Sequence, residues 1–175
     1  MITYIKSPRF IVLTLLIIAA ACTRAFPLLI SHSWHFTAVG ALAIFAGAKF
    51  DRRFAFIMPL AAMALSDLFI GNGFSLVVYG GFVAMVLCGF AIRRNQSSLN
   101  IGMASVLGAV VFFLITNFAF FYPVSAYPHN LGGIVASYIA GLPFINNMIA
   151  GNLVFGALMF GAFNLLERRY PVLAK

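Results

Sequence analysis

Side chains able to carry a proton, a metal or a covalent intermediate are scarce in this sequence. The acids are Asp51, Asp67 and Glu167, the histidines His32, His35 and His129, and the cysteines Cys22 and Cys88. There is no Gly-rich phosphate loop with its Lys, no His-Glu-x-x-His, no Gly-x-Ser-x-Gly and no carboxylate pair at catalytic spacing. Asp51 and Glu167 stand beside basic residues, which leaves general acid–base chemistry few candidates, so no enzyme is expected. Both cysteines lie in apolar runs, so neither a disulfide framework nor a metal site is expected, and no cofactor. What remains suits the holding of a small molecule: Arg24, Trp34, His35, Asp67, Tyr79, Asn117, Tyr127, His129, Asn130, Asn147 and Asn152.

The elements that must position these residues are apolar. The chain has 175 residues, 63% of them hydrophobic and 8% charged, with a mean hydropathy of +1.06. An ordinary soluble domain is about half apolar and a quarter charged, so a soluble monomer is excluded. A spanning helix needs roughly 20 apolar residues, which gives this length six spans and short loops, one all-α membrane domain over 1–175. The spans are expected at about 10–30, 36–48, 54–70, 75–92, 101–121 and 145–166. A single helix over 131–166 would be about 54 Å long, against a hydrocarbon core of about 30 Å. We therefore expect 131–143 to be a short non-crossing outer segment, broken from the last span at Pro143.

Eleven Lys and Arg face three acids, for a net charge of +8, but they come in small groups between apolar runs and form no face for nucleic acid. Lys6 and Arg9, Lys49, Arg52 and Arg53, Arg93 and Arg94, and Arg168, Arg169 and Lys175 all fall on one side if both termini are cytoplasmic. Arg24 alone does not. The location implied is a membrane crossed several times. The N-terminus has a competing reading, since Ala19-Ala20-Ala21-Cys22 after Lys6 and Arg9 resembles a lipoprotein cleavage site.

In this topology Arg24, Asp67, Tyr79 and Asn117 lie at similar depth, and the sixth span adds Asn146, Asn147 and Asn152. A charge in the bilayer costs at least about 2.5–3.5 kcal/mol, so Arg24 and Asp67 should face the interior or a wet cavity. The expectation is a polar pocket open to the outside, with Trp34, His35, Tyr127, His129 and Asn130 as its lid. Plainer roles exist for each: Arg24 and Asp67 pairing or snorkelling, asparagines joining helices, and Trp and Tyr marking the interface. Small residues form stripes for close helix approach at Gly40, Ala43 and Gly47, and at Gly80, Ala84 and Cys88, with a shorter pair at Ala21 and Ala25.

Three stretches, His35 to Gly47, Pro59 to Gly71 and Val78-Tyr79, resemble a family of bacterial membrane proteins regarded as candidate substrate-binding (S) components of energy-coupling-factor (ECF) transporters. Phe113 to Phe118, Tyr127 to Gly133, Tyr138, Leu142-Pro143-Phe144 and Gly151-Asn152 are similar too. The resemblance implies six helices that bind a vitamin or metal ion under outer loops, and delivery inward through a transmembrane coupling subunit with ATPases on other chains. The family is distantly like the solitary cobalamin-binding S components, where a cysteine near the third and fourth helices ligates cobalt. Here Cys88 is too deep and Cys22 is on another helix, so His129 or His35 would have to substitute. The expected function is thus capture of a small nutrient, such as a vitamin or corrinoid. The alternative is a non-transporting scaffold that docks a partner on its small-residue helix faces.

Overall fold

The computed structural model describes residues 7–25, 36–71 and 73–174. Among them are six α-helices: α1 (Pro8–Cys22), α2 (Val39–Lys49), α3 (Arg52–Ile70), α4 (Leu76–Ala91), α5 (Ser98–Thr116) and α6 (Leu131–Arg169). Short 3-10 turns follow α1 (Thr23–Ala25), α5 (Ala119–Phe121) and α6 (Pro171–Ala174). No strand occurs among the described residues.

The helix starts follow from side chains that satisfy the orphan first-turn N–H groups. Ser7 accepts from Phe10 N at 3.2 Å with Pro8 as the first helical residue, Ser97 accepts from Asn100 N at 3.3 Å, and Asn130 accepts from Gly133 N at 2.9 Å. α3 ends on Gly71, whose φ of 78° is the left-handed conformation that glycine adopts without strain.

α2 is the axis of the bundle. Every residue from Val39 to Ala48 is buried, and the helix packs against all five others. A helix apolar on every side has no solvent face to give, which is why it sits innermost. Its contact with α4 is backbone against backbone. A Cβ on Gly47 would come within 2.2 Å of Val86 O, and one on Gly89 within 2.1 Å of Ile44 O. The expected stripe Gly40–Ala43–Gly47 is therefore internal. On α4 the packed face is Gly81, Met85 and Gly89, whereas Gly80 is exposed and a Cβ there would meet nothing within 4 Å.

The two ends of the bundle differ in charge. Arg9, at the start of α1, reaches Glu167 at 2.7 Å, and Lys49, at the end of α2, reaches the same carboxylate at 3.0 Å and Asn164 Oδ1 at 3.1 Å. Gln96 donates to Ala48 O at 3.3 Å. The start of α1, the end of α2, the α4–α5 turn and the end of α6 thus meet at what we term the Lys49 end. The opposite, Arg24 end joins the end of α1, the start of α2, the end of α3 and the start of α4. Nine of the eleven Lys and Arg are described, and eight of these lie at the Lys49 end.

Three helices, α3, α5 and α6, are long and apolar enough to cross a membrane, and only 22%, 39% and 33% of their apolar windows are buried. Leu15, Leu65, Leu68, Phe69, Leu107 and Leu158 are among the large apolar side chains left on the outside. Such an apolar exterior is compatible with a membrane protein and foreign to a soluble monomer.

One expectation is corrected. Residues 131–143 and 145–166 do not form two pieces, because α6 runs unbroken through Pro143 for 39 residues, about 58 Å. The ring removes the one hydrogen bond that Ile139 O would accept, and both Ile139 and Pro143 lie on the exposed side of the helix, away from its packed face.

Candidate functional site

At the Arg24 end three helices bring charge together. Thr23 and Arg24 lie in the 3-10 turn that closes α1, and Thr23 Oγ1 accepts from Ala38 N at 2.8 Å, tying that turn to the start of α2. Asp67 sits one turn before the end of α3, where the partial negative charge of the helix terminus disfavours a second negative group. Arg24 offsets this. Its Nη2 donates to Asp67 Oδ1 at 2.5 Å, and its Nη1 donates to Ser66 Oγ at 2.7 Å and Met63 O at 3.1 Å. Tyr79, in the first turn of α4, donates its hydroxyl to Asp67 Oδ2 at 2.9 Å. Asp67 is 7% exposed, so a carboxylate nearly removed from water holds one charged and one neutral donor.

Beside this cluster is an open cavity of about 250 Å³, lined by Arg24, Met63, Asp67, Gly73, Ser75 and Tyr79. The Tyr79 ring is backed by Phe74, with centroids 4.5 Å apart. Of the five guanidinium N–H groups of Arg24, three have acceptors among the described residues. The cavity therefore presents part of the Arg24 guanidinium, the Ser75 hydroxyl and an aromatic wall. That combination suits a small molecule carrying an acceptor group.

The other expected site residues are not brought to this cavity. Asn152 is 1% exposed at the centre of the bundle, where its Nδ2 donates to Ser105 O at 3.1 Å across to α5. Its Oδ1 is buried without a hydrogen-bond partner among the described residues and lies so close to α2 that a Cβ on Gly40 would come within 2.1 Å of it. Asn117 closes α5, donating to Phe113 O at 3.0 Å and lying against Gly141 of α6. Asn147 is half-buried on α6. The expected pocket built from five spans is thus a cavity built from three, with Asn117 and Asn152 joining α5 to α6 and α2.

Tyr127, His129 and Asn130 lie in the α5–α6 connection, at the same end but on the far side of the bundle from α1 and α3. His129 Nε2 is 2.9 Å from Tyr122 O, and its ring stacks on Phe120 at 4.6 Å. A carbonyl only accepts, so Nε2 carries the proton in this arrangement. Tyr127 packs edge-on to Tyr122 at 5.4 Å, Tyr122 donates its hydroxyl to Thr116 O at 2.8 Å, and Asn130 caps α6. Burial and the neighbouring Tyr127 push the Tyr122 phenol above its ordinary pKa. Trp34 and His35 lie outside the described residues. Among the described residues, no three His, Cys, Asp or Glu side chains converge on a point.

The lining residues Met63, Gly73, Ser75 and Val78 escaped the sequence reading, as did Ser66, which accepts from Arg24. Ser66 and Ser75 had a signal, the first as the neighbour of the one acid inside an apolar run and the second as the polar residue opening an apolar run, where an N-cap is expected.

Over residues 5–173 the chain matches the family DUF6580, described as a family of unknown function, and it belongs to that family. No curated protein and no solved structure matches it.

Proposed function

We propose that this chain is the substrate-binding subunit of an uptake system: a six-span protein of the bacterial inner membrane, both termini cytoplasmic, that captures a small nutrient from the outer side at the Arg24 end. Delivery inward falls to a transmembrane coupling subunit with ATPases on other chains, as in the S components of ECF transporters that the sequence resembles. The observation that carries the reading is the Arg24–Asp67–Tyr79 cluster, a charged pair that lines an open cavity.

The topology is supported by the gathering of cations at the Lys49 end, the bias that places that end in the cytoplasm. α2, with 11 residues, falls short of the roughly 20 that a lipid-facing span needs. It is enclosed by the other helices and meets no lipid, so its length is unconstrained. α6 exceeds the hydrocarbon core of about 30 Å, and its first turns, residues 131–143, continue the same helix beyond the membrane on the outer side.

At about 250 Å³ the cavity lies just below the usual range of ligand-pocket sizes, which favours a small vitamin-like molecule over a corrinoid, several times larger. Tyr127, His129 and Asn130 act as an ordered outer loop. A scaffold role has one observation in its favour, the exposed Gly80 with Ala84 and Cys88 half-buried on the same outward face of α4.

Capture requires the cavity to open outward. In a Cys22→Ala, Cys88→Ala background, Ser75→Cys is expected to react with a membrane-impermeant maleimide added to intact cells, and Asn95→Cys only after permeabilisation. The reverse pattern overturns the proposal.

A further inference from the structure

A second concavity lies at the Lys49 end, between α5 and α6. It is a slot of about 290 Å³ whose sides are mainly apolar, with Ile101, Leu153 and Phe160 around the buried Ser105, and whose polar end carries Gln96, Ser98 and Asn164. Its space comes from small residues. A Cβ on Gly161 would meet nothing within 4 Å, and one on Gly102 would touch only the tip of Leu153 at 4.0 Å. Between α2 and α4, glycines mark backbones in contact; here they leave a gap. Along α6 the slot runs from Leu153 to Asn164, about 16 Å at 1.5 Å per residue, close to the roughly 15 Å depth of one hydrocarbon leaflet.

The rim beyond the polar end is cationic. Arg93 and Arg94 immediately precede Asn95 and Gln96, and Arg168 follows Asn164 by one helical turn, with Arg94 and Arg168 exposed. Glu167 at this end is already engaged by Arg9 and Lys49. A mainly apolar slot one leaflet deep, with its polar residues gathered toward the end that carries exposed cations, is complementary to a lipid with a negative headgroup. A helix from a second copy fits worse, because a copy inserted the same way up would bring its own cations to the same level.

The geometry points to a binding site for one anionic phospholipid of the cytoplasmic leaflet, an acyl chain in the α5–α6 slot and the headgroup phosphate at the rim carrying Arg94 and Arg168. The inference rests on the membrane-spanning reading, with the Lys49 end in the leaflet where anionic lipids attract basic residues.

The test is native mass spectrometry of the full chain in detergent, titrated with phosphatidylglycerol and with phosphatidylcholine of identical chains. One retained phosphatidylglycerol per protein is expected, preferred about 25-fold, at about five-fold for each of two arginines. Arg94→Gln and Arg168→Gln should each lose about five-fold of that preference, and Gly161→Leu, which fills the slot, should abolish retention. Equal retention of both lipids, or retention that survives Gly161→Leu, overturns the site. So does a lipid-free dimer that Gly161→Leu separates, which would give the slot to a second copy. Carbonate extraction distinguishes the two levels of failure. A chain stripped from the membrane defeats the spanning reading, whereas one that stays and shows no lipid preference defeats this site alone.

Discussion

Arg24→Met, Asp67→Asn and the double variant form a cycle that weighs the charged pair. Arg24→Met removes three hydrogen bonds at once and leaves a carboxylate that is 7% exposed with the Tyr79 hydroxyl as its partner among the described residues. Breaking a buried pair by removing one partner costs about 3–5 kcal/mol. The side chains keep 16% and 10% of their exposure and the cavity beside them is open, so screening places the expected cost near the lower end, about 3 kcal/mol. For a chain of this length that lowers Tm by roughly 6–12 °C. Asp67→Asn is milder, about 1–2 kcal/mol, because the amide oxygen still accepts from Arg24 or Tyr79. The double variant buries no isolated charge, so its loss should fall short of the sum by about 1–2 kcal/mol. Thermal unfolding in one detergent, followed by circular dichroism, measures all four corners. Losses that add to within about 0.5 kcal/mol would show that the two charges do not stabilise one another and would refute the reasoning.

Further outcomes follow from the same contacts. Gly47→Ala places a Cβ within 2.2 Å of Val86 O and should cost about 1–3 kcal/mol or more, while Gly80→Ala, with nothing within 4 Å, should be neutral or stabilise by up to about 1 kcal/mol; equal Tm values for the two would contradict the packing. Glu167→Gln removes the negative charge shared by Arg9 and Lys49, and the Lys49 side chain is 7% exposed, so a loss of about 1–3 kcal/mol in thermal unfolding is expected, with the 171–174 turn cut sooner by protease. Gly133→Ala would put a Cβ within 1.8 Å of Pro128 O, so impermeant-probe labelling of the 122–130 connection should rise, and an unchanged rate would count against that loop being held by Gly133.

The helices were legible because apolar runs between polar breaks leave little choice of place. The runs expected at 36–48, 54–70 and 75–92 became Val39–Lys49, Arg52–Ile70 and Leu76–Ala91, and the serine and asparagine caps stand where the breaks end. Of the run expected at 10–30, the described part holds a helix to Cys22 and then the 3-10 turn with Arg24, while 26–30 lie outside the described residues. Continuity through Pro143 was not legible, since a proline is tolerated inside a helix only when the orphaned carbonyl faces outward, and facing is a tertiary property. Nor was the destination of the asparagines. α2 and α6 carry apolar residues on several sides, so periodicity does not say which way Asn152 points, and it went to Ser105 and Gly40. The same ambiguity decided α4. Gly80 and Gly81 are neighbours facing about 100° apart, and only packing selects the second. The charged pair was legible for the opposite reason, because Arg24 and Asp67 are each the one residue of charged type inside its apolar run and each is too costly to leave alone.

The central claim is that the cavity beside Arg24, Asp67 and Tyr79 holds a small molecule taken from outside. Native mass spectrometry of the protein gently extracted from its own host tests it most directly, with the wild type and Asp67→Asn prepared side by side. The account predicts a small molecule at one per chain on the wild type, released for identification, and its loss or depletion on Asp67→Asn while that variant still inserts and unfolds cooperatively. An empty wild type whose Tm no vitamin, corrinoid or metal raises, or a molecule retained equally by Asp67→Asn, would contradict it.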